Sequence, residues 1–288
     1  MQGSAYLKAV AWMLLATCSF TAMAVAGREI AAELDTFELM LYRSLIGIGI
    51  VVAVSAAVGQ LGTIRAHRMG LHAFRNIGHF SGQNLWFFAV ASIPLAQVVA
   101  LEFTTPLWVA IAAALFLGER LTRYRMFAVL LGFIGVLIVA RPDGLDLSPG
   151  VVAAALCAIG FAISFIATKK LSQTESTASI LFWLTVMQAL FSLICAGWDL
   201  SIAVPSLAMA PYVLLVSITG LLAHFCITQA LRCAPASVVA PLDFARLPLV
   251  AVVGWALYAE PFALAILGGG ALIVVANVMN IRAMAQGR

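Results

Sequence analysis

Long apolar runs dominate this sequence, and they decide what the chain can fold into. A helix needs roughly 20 apolar residues to span the ~30 Å hydrocarbon core of a bilayer. The residue types AVILMFWYC make up 64% of the 288 residues and charged residues make up 10%, and the mean hydropathy is +1.07. The runs are continuous, whereas the strands of a membrane barrel alternate apolar and polar residues. We therefore predict an all-α membrane protein with about ten crossings.

Basic residues between the apolar runs predict the orientation of the helices. Only Arg28 and Arg141 fall in connections on one side, together with the acidic stretch GREIAAELDTFE. The ten predicted helices cover residues 6–26, 37–58, 72–91, 94–117, 125–141, 149–168, 178–197, 208–230, 236–258 and 262–281. The basic residues on the opposite side are Lys8, Arg65, Arg68, Arg120, Arg123, Arg125, Lys169, Lys170, Arg232, Arg282 and Arg288. By the positive-inside rule, both termini are predicted to be cytoplasmic in a bacterial inner membrane.

The sequence repeats itself at an offset of 141 residues. At this offset Glu102 aligns with Asp243 and Pro94 aligns with Pro235. Four further pairs match: Phe20 with Phe161, Ala89 with Ala230, Phe103 with Phe244, and Glu119 with Glu260. These positions indicate two five-helix halves, residues 1–141 and 149–288. Because five is odd, the second half enters the membrane from the opposite side, and we predict an inverted repeat around a central cavity.

The first apolar segment allows a second interpretation. Lys8, the apolar stretch after it and the small residues AVAG at 24–27 imitate a cleavable signal peptide. The internal repeat includes this helix, however, because Phe20 aligns with Phe161. We therefore expect the first helix to be retained.

Two acidic residues are predicted to lie near the middle of the membrane. Glu102 and Asp243 each follow a proline by eight residues, which is about 12 Å along a helix. Ionisable side chains at this depth usually face a cavity or a partner because a charge in hydrocarbon is costly. We expect both to line a substrate cavity. The alternative is structural: Asp243 would pair with Arg246, and a protonated Glu102 would hydrogen-bond a neighbouring helix.

The third predicted helix carries a polar and aromatic stripe. Arg75, His79, Gln83 and Trp86 lie within about 80° of one another at 100° per residue, so they share a face. We expect His79, Gln83 and Trp86 to line water or solute, whereas Arg75 could instead extend to the membrane surface. At the repeat offset Gln83 aligns with His224, which adds the eighth helix to the same cavity.

Two further helices supply candidates. Phe161 and Ser164 share a stripe on the sixth helix and are predicted cavity residues, although aromatic stripes often only pack. Arg43 lies inside the second helix, and its position in the second half is taken by Leu184. It would bind a substrate carboxylate, or pair with Glu102 or with a loop acid.

Prolines interrupt the fourth and ninth predicted helices beside the acids. Pro106 follows Glu102, and Pro241 and Pro248 flank Asp243. A proline removes a backbone hydrogen bond and bends a helix, and inverted-repeat transporters build their sites from discontinuous helices. We predict hinged or broken helices around a central site. The alternative is a static kink that improves packing.

Motifs of enzymes and cofactor sites are missing from the sequence. It contains no H-E-x-x-H, no G-x-S-x-G and no G-x-x-x-x-G-K-[ST] pattern. Five cysteines are scattered through apolar runs without a C-x-x-C pair, so we expect no disulfide, no metal site and no cofactor. The net charge of +4 is spread over the connections, which does not indicate nucleic-acid binding. We predict no catalytic residue.

Two stretches of the sequence resemble a known family. They are ASIPLAQVVALEFTTPLWVAIAAALFLGERLT followed by GFIGVLIV and, more weakly, CAPASVVAPLDFARLPLVAVVGWALYAEP followed by GGGALIVVAN. Each combines a small-residue turn, a mid-helix proline, an acid that ends the helix and a glycine-rich next helix. Along its whole length the chain resembles the ten-helix EamA-type branch of the drug/metabolite transporter superfamily. The resemblance implies inverted five-helix halves, a central cavity and alternating access.

Within that branch the chain is similar to bacterial amino-acid exporters, including those for aromatic amino acids. The small four-helix relatives couple transport to protons through a glutamate in their first helix. The first helix here, YLKAVAWMLLATCSFTAMAVA, contains no acid. Coupling would therefore use Glu102, Asp243 or His79, or be absent.

The expected function is a secondary transporter that exports amino acids by alternating access. An importer of a vitamin or nucleobase-type solute is the alternative within the same class. A membrane enzyme acting on lipid-linked substrates would need nucleophile or metal motifs, and a scaffold would not need paired intramembrane acids. Ten helices in one chain can close a cavity, so a monomer in the lipid bilayer suffices.

Overall fold

Helices make up nearly all of the described part of the chain. The computed structural model describes residues 2–119, 122–140, 148–198, 200–259, 268–273, 275–276 and 278–279. Its helices are α1 (Gln2–Ile30), α2 (Thr36–Ala57), α3 (Met69–Ser92), α4 (Leu95–Glu102), α5 (Thr105–Leu117), α6 (Arg123–Ala140), α7 (Pro149–Ser172), α8 (Thr177–Ala196), α9 (Ala210–Cys233), α10 (Ala236–Leu242) and α11 (Arg246–Tyr258). Short 3-10 turns cover Leu61–Thr63 and Asp243–Ala245.

The predicted all-α membrane fold is confirmed. The first nine predicted helices are present with ends that differ by a few residues, but the fourth is divided into α4 and α5, and the ninth into α10 and α11. Within the predicted tenth helix, residues 268–273, 275–276 and 278–279 are helical, and its remaining residues lie outside the described ranges. By length and composition, six helices in the described ranges could each cross a membrane.

Hydrogen bonds between loops show that the two halves are inverted. At one end of the bundle, Glu33 between α1 and α2 accepts from the backbone N–H (3.0 Å) and the hydroxyl (2.8 Å) of Ser206, between α8 and α9. At the other end, Ser176 between α7 and α8 donates to the carbonyl of Thr63 (3.0 Å), between α2 and α3. The α2–α3 and α8–α9 connections are equivalent in the repeat, yet they lie at opposite ends, as inversion requires.

Two basic residues repeat the same contact in the two halves. Arg28 donates to two carbonyl oxygens at the C-terminus of α3, and Lys169 donates to two at the C-terminus of α9. The acceptors are Val90 (3.3 Å) and Ile93 (3.1 Å) for the arginine, and Leu231 (2.6 Å) and Ala234 (2.9 Å) for the lysine. The two donors are 141 residues apart in the sequence, and so is each pair of equivalent acceptors. Cations stabilise the free carbonyls of a helix C-terminus, so the repeat extends to individual hydrogen bonds.

Glycines let the two halves approach each other closely. α3 packs along α7, and the equivalent helices α9 and α1 pack in the same way. A Cβ at Gly160 on α7 would lie 2.6 Å from the carbonyl oxygen of Gly78 and 2.9 Å from Cα of Gly82, both on α3. These neighbours are backbone atoms, which cannot rotate away. Small residues therefore set the distance between α3 and α7.

We expect Gly160→Ala to lower the free energy of unfolding by about 1–3 kcal/mol, because its methyl group would force the two backbones apart. The matched control is Gly49→Ala on α2, where no atom lies within 4 Å of an added Cβ and alanine favours the helix. Thermal unfolding of both purified variants in detergent measures the difference. An equal shift of Tm in the two variants would contradict the close α3–α7 contact.

Candidate functional site

A cavity lies between the two halves. Helices of both halves contribute to it, with α1, α3, α4 and α5 on one side of the repeat and α7, α9, α10 and α11 on the other. Its lining residues are Met13, Phe20, Met23, Arg75, His79, Gln83, Trp86, Glu102, Phe103, Thr105, Pro106, Phe161, Ser164, Phe165, Thr168, His224, Ile227, Ala240, Asp243 and Arg246.

Most of the candidates chosen from the sequence lie around this cavity. They are His79, Gln83, Trp86, Glu102, Phe161, Ser164, His224 and Asp243. Pro106 lines it as well. Arg43 does not: it lies in a separate, smaller cavity lined by residues of α2, α8 and α9. Contact of these side chains with a solute stays a prediction.

One guanidinium joins the two intramembrane acids. Nη2 of Arg246 donates to Oε1 of Glu102 (2.5 Å) and to Oδ2 of Asp243 (2.8 Å). The indole Nε1 of Trp86 donates to Oε2 of Glu102 at 2.7 Å. Only 2% of Arg246 and 7% of Glu102 are exposed. The predicted pair of Asp243 and Arg246 is therefore present, Glu102 accepts from Arg246 and Trp86 on other helices, and both acids line the cavity.

Breaks in two helices bring these groups together. Glu102 is the last residue of α4, and Pro106 lies in the first turn of α5. In the second half, Pro241 lies inside α10. Asp243 then begins the 3-10 turn, and Arg246 begins α11. Both predicted interruptions are present, and each one ends or starts a helix at a charged residue of the cluster.

The charges of this cluster do not balance. Two carboxylates face one guanidinium, so an excess negative charge remains when all three groups are ionised. The rings of Phe20 and Phe103 lie 5.1 Å and 5.3 Å from the guanidinium carbon of Arg246, where cation–π attraction supports a desolvated cation. A buried ion pair stabilises a fold only if its geometry is good and its other polar atoms are satisfied. The two acceptors and two rings meet that condition only in part for Arg246, because its Nε and Oδ1 of Asp243 are buried without a hydrogen-bond partner within the described residues.

Two histidines and two phenylalanines, contributed by both halves, form another part of the cavity wall. The rings of His79 and His224 meet edge to face with centroids 4.5 Å apart. Phe20 lies 6.0 Å from His224, and Phe161 lies 6.0 Å from His79. Within the described residues, Nε2 of each histidine is buried without a hydrogen-bond partner. These two nitrogens are available to a solute.

Arg75 is buried instead of extending to the membrane surface. It is 1% exposed, and its Nε donates to the hydroxyl of Thr168 on α7 at 3.0 Å. The predicted stripe of α3 is therefore a cavity wall along its whole length. Arg43 is also buried, and within the described ranges it pairs neither with Glu102 nor with a loop acid; its Nη1 lies 3.2 Å from Sδ of Met40.

Side chains suited to metal binding do not cluster in the described part of the chain. No group of three or more His, Cys, Asp or Glu side chains there is arranged to hold an ion. All five cysteines are unpaired. The lining of the cavity combines charged side chains, hydrogen-bonding groups and aromatic faces.

Comparison with known proteins gives this geometry a family. The EamA-like transporter family matches residues 7–141 and, a second time, residues 148–282. The chain belongs to the EamA-like transporter family. Its two matches correspond to the two inverted halves that enclose the cavity.

Relatives of this EamA-like protein are named for different solutes. The S-adenosylmethionine uptake transporter of Rickettsia bellii is 25% identical over 96% of this chain and 94% of its own length. The riboflavin transporter of Brucella anthropi is 31% identical over 76% of this chain and 78% of its own length. The pseudopaline exporter of Pseudomonas aeruginosa is 29% identical over 92% of this chain and 93% of its own length. The EamA-like chain is thus a small-molecule transporter of a multi-pass membrane class.

A solved crystal structure of a protein has the same fold. It aligns with a TM-score of 0.78 over 97% of this chain and 98% of the other chain, and the sequence identity is 20%. At that identity the likeness concerns the fold alone.

The bond between Arg246 and Glu102 is the feature of this EamA-like site that sequence reasoning missed. A signal was available, because the repeat offset aligns Arg246 with the neutral Thr105. Arg246 lies three residues after Asp243, and the first half has no basic residue at the position equivalent to Arg246. A basic residue present in one half alone suggests that it binds both Asp243 and Glu102. The spacing of three residues on one predicted helix indicates a pair of Arg246 with Asp243 alone.

We expect Arg246→Met to destabilise the protein by about 3–5 kcal/mol, because it leaves two buried carboxylates without a cation. Glu102→Gln should cost much less, since one carboxylate and one guanidinium then remain in balance. The triple variant Glu102→Gln, Asp243→Asn, Arg246→Met should recover part of the loss. Thermal unfolding of the purified variants measures the three values. Equal losses for Arg246→Met and Glu102→Gln would show that charge balance does not determine the stability of the cluster.

Proposed function

We propose that this chain is a secondary transporter that exports amino acids, or solutes built on an amino acid, by alternating access. One observation carries the proposal: the cavity between the inverted halves that contains Glu102 and Asp243 combines aromatic walls with buried polar groups that have free hydrogen-bonding capacity. An amino acid with an apolar or aromatic side chain presents the matching surfaces.

The lining of the cavity supports a small amphipathic solute. Phe20, Trp86 and Phe161 provide aromatic faces for a side chain. His79 and His224 provide polar atoms for the amino and carboxyl groups.

The broken helices support alternating access. Half-helices α4, α5, α10 and α11 meet at the Glu102–Arg246–Asp243 cluster, which joins the first half to the second. We propose that the halves, residues 1–141 and 149–288, rock about this contact, with bending at Pro106, Pro241 and Pro248. Inverted-repeat transporters expose a fixed site to either side in this manner.

The names of relatives support the solute class in part. S-adenosylmethionine contains the amino and carboxyl groups of methionine, and a relative that covers nearly the whole chain is named for its uptake. Another is named as an exporter, so relatives occur for both directions. We propose export here because the chain resembles bacterial amino-acid exporters.

The membrane arrangement follows from the charge distribution. We propose that both termini are cytoplasmic and that the connection containing Glu33 faces the opposite side of a bacterial inner membrane, by the positive-inside rule. One chain already encloses the cavity from both halves, so we propose a functional monomer.

A vitamin importer is the second candidate. The relative with 31% identity is named a riboflavin transporter, and aromatic walls would also accept a flavin ring. Riboflavin has no carboxylate and no ammonium group. An amino acid would bind these groups to the charged and polar side chains of the cavity, whereas riboflavin would not.

Counterflow in proteoliposomes tests the proposal. Vesicles are loaded with unlabelled phenylalanine, S-adenosylmethionine or riboflavin, and the uptake of the same labelled solute is followed. Accumulation of labelled phenylalanine or S-adenosylmethionine, absent from protein-free vesicles, supports the proposed class. Accumulation of riboflavin alone would favour the vitamin carrier.

We expect Glu102→Gln to slow phenylalanine counterflow at least severalfold and to change its pH dependence, because an amide cannot exchange a proton and removes the excess charge beside Arg246. Arg123→Gln is the control: it removes a charge at an exposed position outside the cavity. Counterflow rates between pH 5.5 and 8.5 give the comparison. If Glu102→Gln keeps the wild-type profile, the glutamate has a structural role alone.

A further inference from the structure

The guanidinium of Arg75 is buried in the cavity wall without a carboxylate partner. The side chain is 1% exposed and lines the cavity between the halves. Both acids of the cavity are bound by Arg246, and within the described ranges no other acid pairs with Arg75. A buried cation without a counter-ion costs several kcal/mol. Such a residue is understandable if a solute supplies the missing negative charge.

Neutral groups hold this guanidinium in position. Its Nε donates to the hydroxyl of Thr168 and its Nη1 donates to Oδ1 of Asn76, both at 3.0 Å. The amide nitrogen of Asn76 is itself fixed by the carbonyls of His72 (2.9 Å) and Trp183 (3.2 Å). Nη2 of Arg75 has no partner among the described side chains and carbonyls. These hydrogen bonds fix the orientation of the guanidinium and leave N–H donors that are not used. A carboxylate can accept two parallel hydrogen bonds from such a group.

A second buried cation strengthens the positive potential at this end. Arg43 is 7% exposed and likewise has no acidic partner in the described residues. Its guanidinium packs against Gly220, where an added Cβ would lie 2.7 Å from Nη2, and Gly220 is one turn before the cavity residue His224 on α9. Arg43 lines a neighbouring cavity, so it would act on a solute only through its electrostatic potential.

The two charged ends of the cavity are well separated. Trp86, which binds Glu102 in the acidic cluster, is eleven residues after Arg75 on α3, about 16 Å along the helix. The ammonium and carboxylate of an α-amino acid share one carbon atom. The two charged groups of an amino acid therefore cannot bind Arg75 and the acidic cluster at the same time. Both groups must bind at the same end of the cavity.

We propose that Arg75 is the anion subsite of this transporter and binds the carboxylate of the solute. The ammonium group then lies toward Nε2 of His79 and His224, and the side chain extends along Phe161 toward Trp86. The subsite deepens the proposed amino-acid transport and rests on it. It restricts the cargo to solutes with a carboxylate or a similar anion, which excludes a neutral flavin.

Three related probes test this arrangement: phenylalanine, phenylalaninamide, which lacks the anion, and N-acetylphenylalanine, which lacks the ammonium. Their affinities are measured by calorimetry on the full-length protein in lipid nanodiscs. Wild-type protein should bind phenylalanine about tenfold or more tightly than phenylalaninamide, the value of one charge-assisted contact. Arg75→Gln should abolish this preference and leave the affinity for phenylalaninamide unchanged. Arg123→Gln, at an exposed position, should keep the wild-type preference.

Each outcome separates the subsite from the proposed function. If phenylalanine exchanges in vesicles but binds no better than its amide, the subsite is wrong and amino-acid transport stands. If phenylalanine neither binds nor exchanges while N-acetylphenylalanine binds in an Arg75-dependent way, the anion subsite stands and amino-acid transport is wrong. A preference that persists in Arg75→Gln overturns the subsite. Should that variant not fold, equal affinity of wild-type protein for phenylalanine and its amide overturns it as well.

Discussion

Arg246 holds carboxylates from both halves of the molecule, and the arrangement of the cavity depends on this contact. The guanidinium binds Glu102 of the first half and Asp243 of the second. The two residues are equivalent in the repeat. Their neighbours Phe103 and Phe244, also equivalent, meet with centroids 5.3 Å apart. Equivalent residues can touch only near the axis that relates the halves. These three charged groups therefore lie at the axis, whereas the buried Arg75 and Arg43 lie away from it.

Close backbone packing surrounds this axis. α3 lies against α7 and α1 lies against α9, so each half contacts the other through its first and third helices. Glycines on α3 and α7 remove the side chains that would separate the backbones. Because α3 is held so closely, its stripe from Arg75 to Trp86 faces the cavity. One helix thereby supplies both a cationic end and a contact to the acidic cluster.

The internal repeat made much of this site predictable. An offset of 141 residues paired the two acids, and helical periodicity placed His79, Gln83 and Trp86 on one face. These are local or periodic properties, so the sequence alone contains them. Arg43 and Arg75 were less accessible to such reasoning. A buried arginine in the second or third helix is compatible with a cavity, a surface or a loop partner, and the choice depends on which helices pack beside it.

The sequence by itself determined the membrane class, the apolar segments, their inversion and the pairing of the two acids in the repeat, because hydropathy, helix length, the 141-residue offset and an odd number of crossings fix these properties. Tertiary structure decided which charges meet. Arg246 is three residues from Asp243, but its bond to Glu102 spans 144 residues, and its formation depends on two broken helices lying side by side. The same packing left Arg75 without an acid, since hydrogen bonds and ion pairs require atomic positions that periodicity does not contain.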